Sequence, residues 1–481
     1  MRNLTLLTDL YQLTMAYGYY KTGRDRKEAV FDLFYRRNPC GNGFAIAAGL
    51  EQVIDYIQNL RFSGEDIDYL KSLDLFDDGF LELLRDFKFT GEMYAIPEGT
   101  VVFPNEPLIR VKAPIIEGQL IETALLNIIN HQTLIATKAN RVCRAAEGGS
   151  VLEFGLRRAQ GPDAGIYGAR AAIIGGCDAT SNALAGKMFN IPVQGTHAHS
   201  WVMSFPSELE AFRAYAKIFP EKCVLLVDTY DTINSGLPNA IKVGKELREK
   251  GYELLGIRLD SGDLAYLSKV ARKMLDEAGL TKTKIVASGD LDEDIIRDLK
   301  IQGAQIDVWG VGTNLITSFD CPALGGVYKM CAEEEDGKLV PKIKISDNIE
   351  KITNPGYKKV VRLYKNDTGK AVGDLIMFAD EELDCSKPLL MFDPIETWKK
   401  KIVTDFRAKE LLVPIFENGK LVYECPSLEE IKEHCRRDLN TFWDEYKRLK
   451  NPHGYHVDLS KKLFDAKQEL LNKAAEEMIS E

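Results

Sequence analysis

The chain has 481 residues, 45% hydrophobic and 28% charged, with a formal net charge of −10, a balance that suits a globular protein of two or three domains and argues against nucleic acid as a partner. No apolar run approaches the ~20 residues of a membrane helix, and Met1 to Thr5 opens without a signal-peptide pattern, so no membrane association and a cytoplasmic location are expected. The nine cysteines form no CxxC pair and no framework spacing, which excludes a disulfide scaffold and leaves no ligand set for a protein-held metal.

Residues 1–137 read as an α+β domain. Leu6 to Met15 has helical spacing, Ala29 to Tyr35 reads as a strand, and Arg36 to Gly43 forms a loop before helical spacing resumes from Ile46 to Leu60. Gly91 to Pro114 is β-rich, punctuated by turns at Pro97-Glu98-Gly99-Thr100 and Pro104-Asn105-Glu106-Pro107.

Over residues 138–365 short apolar runs recur at the spacing of one strand–helix unit. They are Val151–Gly155, Ala172–Asp178, Pro192–His199, Val224–Asp228, Leu254–Asp260, Ile285–Asp290 and Val308–Thr313. Ser207-Glu208-Leu209-Glu210 has capping-box spacing for one intervening helix, and Asp263 is placed to cap another. Successive βα units predict an α/β fold with an irregular or incomplete parallel barrel, whose chemistry gathers at the C-terminal ends of the strands. Those ends would carry Phe154 and Arg157, Asp178, His199, Asp228, Arg258 and Asp260, Asp290, and Gly312 and Thr313. Residues 366–481 are rich in Lys and Glu, with helical stretches from Ser427 to Lys447 and Leu459 to Met478, and predict a mainly helical C-terminal extension.

Several constellations suit an anionic, sugar-like ligand. Arg157 and Arg158 follow Phe154, giving guanidinium forks beside a ring face. Arg258 and Asp260 alternate along one strand face. Ser288-Gly289-Asp290 repeats this in miniature, and Gly310-Val311-Gly312-Thr313-Asn314 can present backbone amides to a phosphate. In Gly195-Thr196-His197-Ala198-His199-Ser200, small neighbours leave His199 room for a nucleophilic or acid–base role, while His197 is assigned none.

Together with Leu6–Met15, Arg37-Asn38-Pro39, Gly43–Ile46, Pro97–Thr100, His131–Lys138 and Val227–Thr232, these stretches resemble the nicotinate phosphoribosyltransferases, a type II phosphoribosyltransferase family. The resemblance implies formation of nicotinate mononucleotide and pyrophosphate from nicotinate and phosphoribosyl pyrophosphate in NAD biosynthesis. ATP is implied as co-substrate, and Mg²⁺ accompanies both phosphorylated substrates. It further implies Phe154 stacking on the pyridine, with Tyr11 of a neighbouring subunit on the other face, hence a homodimer with shared active sites. Arg258 would meet the nicotinate carboxylate, Asp260 and Asp290 the ribose, Arg157 the substrate anions, and Gly312 and Thr313 the 5′-phosphate, with Gly289 also among the substrate-binding residues. His199 falls where the family phosphorylates a histidine from ATP. Related nicotinamide-using enzymes hold an aspartate near the ring, and this chain is aligned there with Ser181 rather than Asp178. Nicotinamide or quinolinate phosphoribosyl transfer, and a barrel that binds phosphosugars without turnover, are the alternatives.

Overall fold

The structure, a computed structural model, describes residues 3–480. It falls into two compact units: one spans Ile135–Pro322, and the other joins the residues up to Leu134 to those from Ala323 onward.

The Ile135–Pro322 unit is built on six strands, bonded in the order Ala179–Thr180, Ser150–Glu153, Val308–Val311, Lys284–Ser288, Gly256–Leu259, Val224–Leu226. Every pairing is parallel. Continuous rather than alternating burial, as in Val308–Val311, marks strands covered on both faces. The two outer strands meet through an irregular segment. Thr180 forms a parallel bridge with Val193, and the Leu226 backbone N–H donates to His197 Nε2 at 3.3 Å. The result is an incomplete barrel in which six strands and one irregular stretch follow one another in chain order. Both predicted caps are present: Ser207 Oγ accepts the Glu210 N–H at 3.3 Å, and Asp263 Oδ1 accepts the Tyr266 N–H at 2.9 Å.

Two of the seven predicted strands are corrected. Ala172–Asp178 mostly belongs to the helix Pro162–Gly175, which starts with proline at its first position and Asp163 in its first turn. A short apolar run does not separate a buried helix from a buried strand. Asp178 therefore precedes its strand instead of ending one, and its Oδ2 accepts from Ser150 Oγ at 2.7 Å. Pro192–His199 contributes only the Val193 bridge, because Pro192 has no N–H to give to a ladder. His199 opens the short helix His199–Met203.

In the other unit, a seven-stranded antiparallel sheet runs Lys338–Pro341, Gly326–Glu335, Glu28–Tyr35, Ile109–Pro114, Glu92–Ala95, Val413–Glu417, Lys420–Leu421. A six-stranded sheet runs Lys400–Val403, Leu389–Phe392, Val457–Leu459, Ala371–Phe378, Lys358–Lys365, Phe406–Glu410. The mainly helical extension expected over 366–481 is corrected accordingly. Helices occupy Leu428–Asn440 and Lys461–Ser480, but the stretch between 371 and 421 is made of strands. Four of its lysines and glutamates, Lys400, Lys401, Lys409 and Glu410, lie on the edge strands Lys400–Val403 and Phe406–Glu410, where charge protects a sheet edge. Strand Val413–Glu417 pairs with Glu92–Ala95, so the C-terminal residues complete the N-terminal sheet rather than forming an appendage. The helix Glu122–Ala145 likewise runs through the boundary expected at 137 and 138.

Arg362 is fully buried in this unit. It pairs with Asp374 at 2.7 Å and Asp438 at 3.2 Å, donates to the Val101 carbonyl at 2.7 Å, and lies 4.9 Å from the Phe442 ring centroid.

Candidate active site

Within the barrel unit, strand ends bring a charged cluster together. Arg258 and Asp260 alternate along the Gly256–Leu259 strand and its end, and as neighbours on one face they pair at 2.7 Å. Ser288, at the end of the adjacent strand, accepts from Arg258 Nε at 2.8 Å and donates to Asp260 Oδ1 in a short hydrogen bond. Burial pushes the Asp260 carboxyl up, but the Ser288 hydroxyl and the Arg258 guanidinium outweigh it and hold the group below the usual carboxylate range. Asp260 is therefore an anion at neutral pH, the form that can face a developing positive charge. Of the five N–H donors of a guanidinium, Arg258 commits Nε to Ser288, one Nη2 proton to Asp260 and one Nη1 proton to Thr196 Oγ1 at 3.4 Å. Two remain for an anion.

Phe154 brings a ring to this cluster, its centroid 5.7 Å from the Arg258 guanidinium carbon. The ring lies against Gly310, where a Cβ would stand only 2.7 Å from it. Gly289 is needed twice over: its φ is +100°, and a Cβ there would lie 2.3 Å from the Asp260 carbonyl oxygen.

His199 reaches the cluster from the first residue of its helix. Its Nδ1 lies 3.1 Å from Thr229 Oγ1, and its Nε2 lies 4.0 Å from Asp260 Oδ2. A hydroxyl that accepts from Nδ1–H leaves Nε2 with its lone pair directed toward the carboxylate side of the site, which is the form a nucleophile requires. The side chain is 41% exposed, so a substrate can reach it. His197 has the opposite environment. It is buried against Tyr215, with ring centroids 4.7 Å apart, and burial lowers its pKa to about 4.

The other predicted residues occupy separate positions around the cluster. Arg157 is exposed on the turn Leu156–Arg158. Ser181 is exposed just beyond the Ala179–Thr180 strand, its N–H donating to the Glu153 carbonyl at 2.9 Å. Asp290 is exposed in a left-handed turn with φ of 46°. Asn314 Nδ2 donates to the Asp290 carbonyl at 3.0 Å and so ties this turn to the Gly312-Thr313 helix start. Tyr11 belongs to the other unit, where its side chain is 48% exposed.

Three contributors were not assigned from the sequence: Ser288, Thr229 and Asp228. Asp228 Oδ2 accepts from the Asp260 N–H and from Ser261 Oγ, both at 2.8 Å, while its Oδ1 is buried without a hydrogen-bond partner. The signal for Asp228 was its strand-end position. Ser288 was read within Ser288-Gly289-Asp290 but without a role of its own, and Thr229 had no signal beyond following Asp228, because a hydroxyl's role depends on what the fold puts opposite.

The descriptions "Nicotinate phosphoribosyltransferase N-terminal domain", "family" and "C-terminal domain" match residues 6–130, 150–377 and 357–467. The chain is similar to the nicotinate phosphoribosyltransferase of Bacillus subtilis, with 52% identity over 98% of this chain and 96% of that one. A crystal structure of human nicotinic acid phosphoribosyltransferase superposes with a TM-score of 0.86 at 33% identity, covering 96% of this chain and 99% of that one. The fold is shared more widely: a nicotinate-nucleotide pyrophosphorylase from Pyrococcus furiosus aligns with a TM-score of 0.69 at 24% identity, over 91% and 96% of the two chains.

Proposed function

Because this chain belongs to the nicotinate phosphoribosyltransferase family, we propose that the barrel site transfers phosphoribosyl from phosphoribosyl pyrophosphate to nicotinate, coupled to ATP through phosphate carried on His199. The transfer itself is the family's reaction and serves NAD salvage. Its assignment to individual residues rests on the cluster described above.

The pyridine nitrogen attacks C1 of the ribose with a lone pair and has no proton to lose, so the step needs no general base. It needs charge placed against an oxocarbenium-like sugar, a hold on the departing pyrophosphate, and a fixed ring. Asp260, kept ionised by Ser288 and Arg258, and Asp290 supply the negative charge. The two uncommitted Arg258 donors suit the nicotinate carboxylate, and Phe154 suits the ring. A second copy of the chain would bring Tyr11 to the opposite face. Arg157 suits the remaining substrate anions, Gly289 lets the backbone approach the ribose, and the Gly312-Thr313 amides suit the 5′-phosphate.

Magnesium is implied by both phosphorylated substrates, and the buried, unpartnered Oδ1 of Asp228 is a hard oxygen donor that fits it. Among the described residues there is no group of three or more His, Cys, Asp or Glu side chains able to hold a metal. Asp228 would therefore share such an ion with substrate phosphates, and the ion would neutralise charge on the leaving pyrophosphate.

The observation that carries the ATP coupling is the Thr229 contact, which leaves Nε2 of an accessible His199 facing Asp260. Incubation with γ-labelled ATP, nicotinate and phosphoribosyl pyrophosphate, followed by mononucleotide assay and mapping of label, tests it. Label on His199 together with ATP-stimulated transfer is expected. Label elsewhere, or stimulation without label, overturns the coupling while leaving the transferase intact.

A further inference from the structure

All nine cysteines are thiols, and two of them meet. Cys143, near the end of the helix Glu122–Ala145, and Cys177, just past the helix Pro162–Gly175, have sulfurs 3.9 Å apart although 34 residues separate them in sequence. Gly176 permits the approach: with φ of 125° it turns the chain, and a Cβ at that position would come within 3.4 Å of the Cys143 sulfur. The two thiols differ in access. Cys143 is partly exposed, whereas Cys177 is fully buried.

A partly exposed thiol with a second sulfur in contact behind it is the arrangement of an oxidation site with its own resolving group. We infer that Cys143 and Cys177 form a reversible disulfide in response to hydroperoxide, a modification site separate from the transferase chemistry. The Cys143 sulfur, as thiolate, attacks a peroxide oxygen. The O–O bond breaks, Cys143 becomes a sulfenic acid, and the released hydroxide leaves with the thiol proton as water. The Cys177 sulfur then attacks the Cys143 sulfur; the S–S bond forms, the S–O bond breaks, and a second water carries away the Cys177 proton. Two thiols give up two electrons, and one hydrogen peroxide becomes two waters.

Closure from 3.9 Å to a bond of about 2.05 Å is a movement of less than 2 Å, within reach of side-chain rotation and a small shift of the helix end. The bond would tie that helix to the residue preceding Asp178, whose N–H donates to the Val151 carbonyl at 2.9 Å ahead of the strand that leads to Ser181.

The test treats the reduced full-length enzyme with stoichiometric hydrogen peroxide, alkylates the remaining thiols, and maps linkages by mass spectrometry without reduction. A Cys143–Cys177 cross-linked peptide is expected as the first product, with two thiols lost and both restored by dithiothreitol. Cys143→Ser should abolish the linkage. Cys177→Ser should leave Cys143 as a sulfenic acid that dimedone traps, and because Cys177 is fully buried, the wild-type mapping stands alone if that variant does not fold. Oxidation of Cys143 to the sulfinic acid with Cys177 still reduced overturns the inference. So does first oxidation at the exposed Cys425 with the pair untouched.

Discussion

The Nε2 atom of His197 accepts the backbone N–H of Leu226 at 3.3 Å, so an imidazole stands where a strand carbonyl would complete the barrel. The other ring nitrogen lies 3.4 Å from the Ala198 carbonyl, which suits a neutral ring protonated on Nδ1. In a strand, residues two apart share a face. Here Ala198 caps the helix that His199 begins, so the two histidines part company: one closes the fold and the other enters the site.

This gives His197 a pH signature. Burial lowers its pKa to about 4, against about 6.5 in an unfolded chain. Between those values the unfolded chain binds a proton that the folded one refuses. Its contribution is thus complete above about pH 6.5 and is lost as the pH falls toward 4, a change of roughly 3 kcal/mol. Urea midpoints for wild type and His197→Phe should show this. The variant should lose about 1–3 kcal/mol at pH 7.5 by stranding the Leu226 N–H, yet change less on going to pH 5. Parallel pH profiles would refute the assignment.

Thr229 should govern coupling rather than transfer. Thr229→Val removes the hydroxyl that orients His199, so label uptake from ATP and the ATP-stimulated rate should fall about tenfold or more, with ATP-independent transfer largely kept. His199→Ala should remove label and stimulation altogether. Equal losses in both rates would place Thr229 in the transfer step instead.

Asp260 and Ser288 should separate in kcat and KM. Asp260→Asn keeps the shape but removes the charge, and kcat should drop about 10²-fold, the scale for losing one electrostatic contact to a transition state. Ser288→Ala leaves the charge but frees Arg258, so the main expected effect is a several-fold rise in KM for nicotinate. Steady-state kinetics with nicotinate as the varied substrate decide this.

The pyridine preference tests Ser181 against Asp178. Ser181 lies past the C-terminal end of its strand and Asp178 before the beginning, held by Ser150. Ser181→Asp should raise KM for nicotinate by an order of magnitude or more through carboxylate repulsion, and Asp178→Ala should leave it unchanged. A panel of nicotinate, nicotinamide and quinolinate completes the measurement; a wild type that uses only nicotinamide would remove Ser181 from the site.

Arg362 is the test of the second unit. Arg362→Ala would leave Asp374 and Asp438 buried without their cation, a loss of about 3–5 kcal/mol. Arg362→Ala with Asp374→Ala should be less destabilising than the sum of the two single changes. Chemical denaturation of the three variants gives the coupling.

The sequence alone determined the βα rhythm, the helix caps at Ser207 and Asp263, the family, and the residue types at the strand ends. Local rules set these: hydrophobic period, capping chemistry, and the alternation that puts Arg258 beside Asp260. Tertiary structure decided what depends on contacts across the chain. It made Ala172–Gly175 a helix end, built strands as well as helices from the Lys- and Glu-rich C-terminal stretch, and placed Thr229 behind His199, Ser288 between Arg258 and Asp260, and Leu226 opposite His197. A short apolar run, a lysine or a hydroxyl has no fixed use in a sequence. Its use is set by which backbone or charge the fold brings within about 3 Å, where hydrogen bonds form.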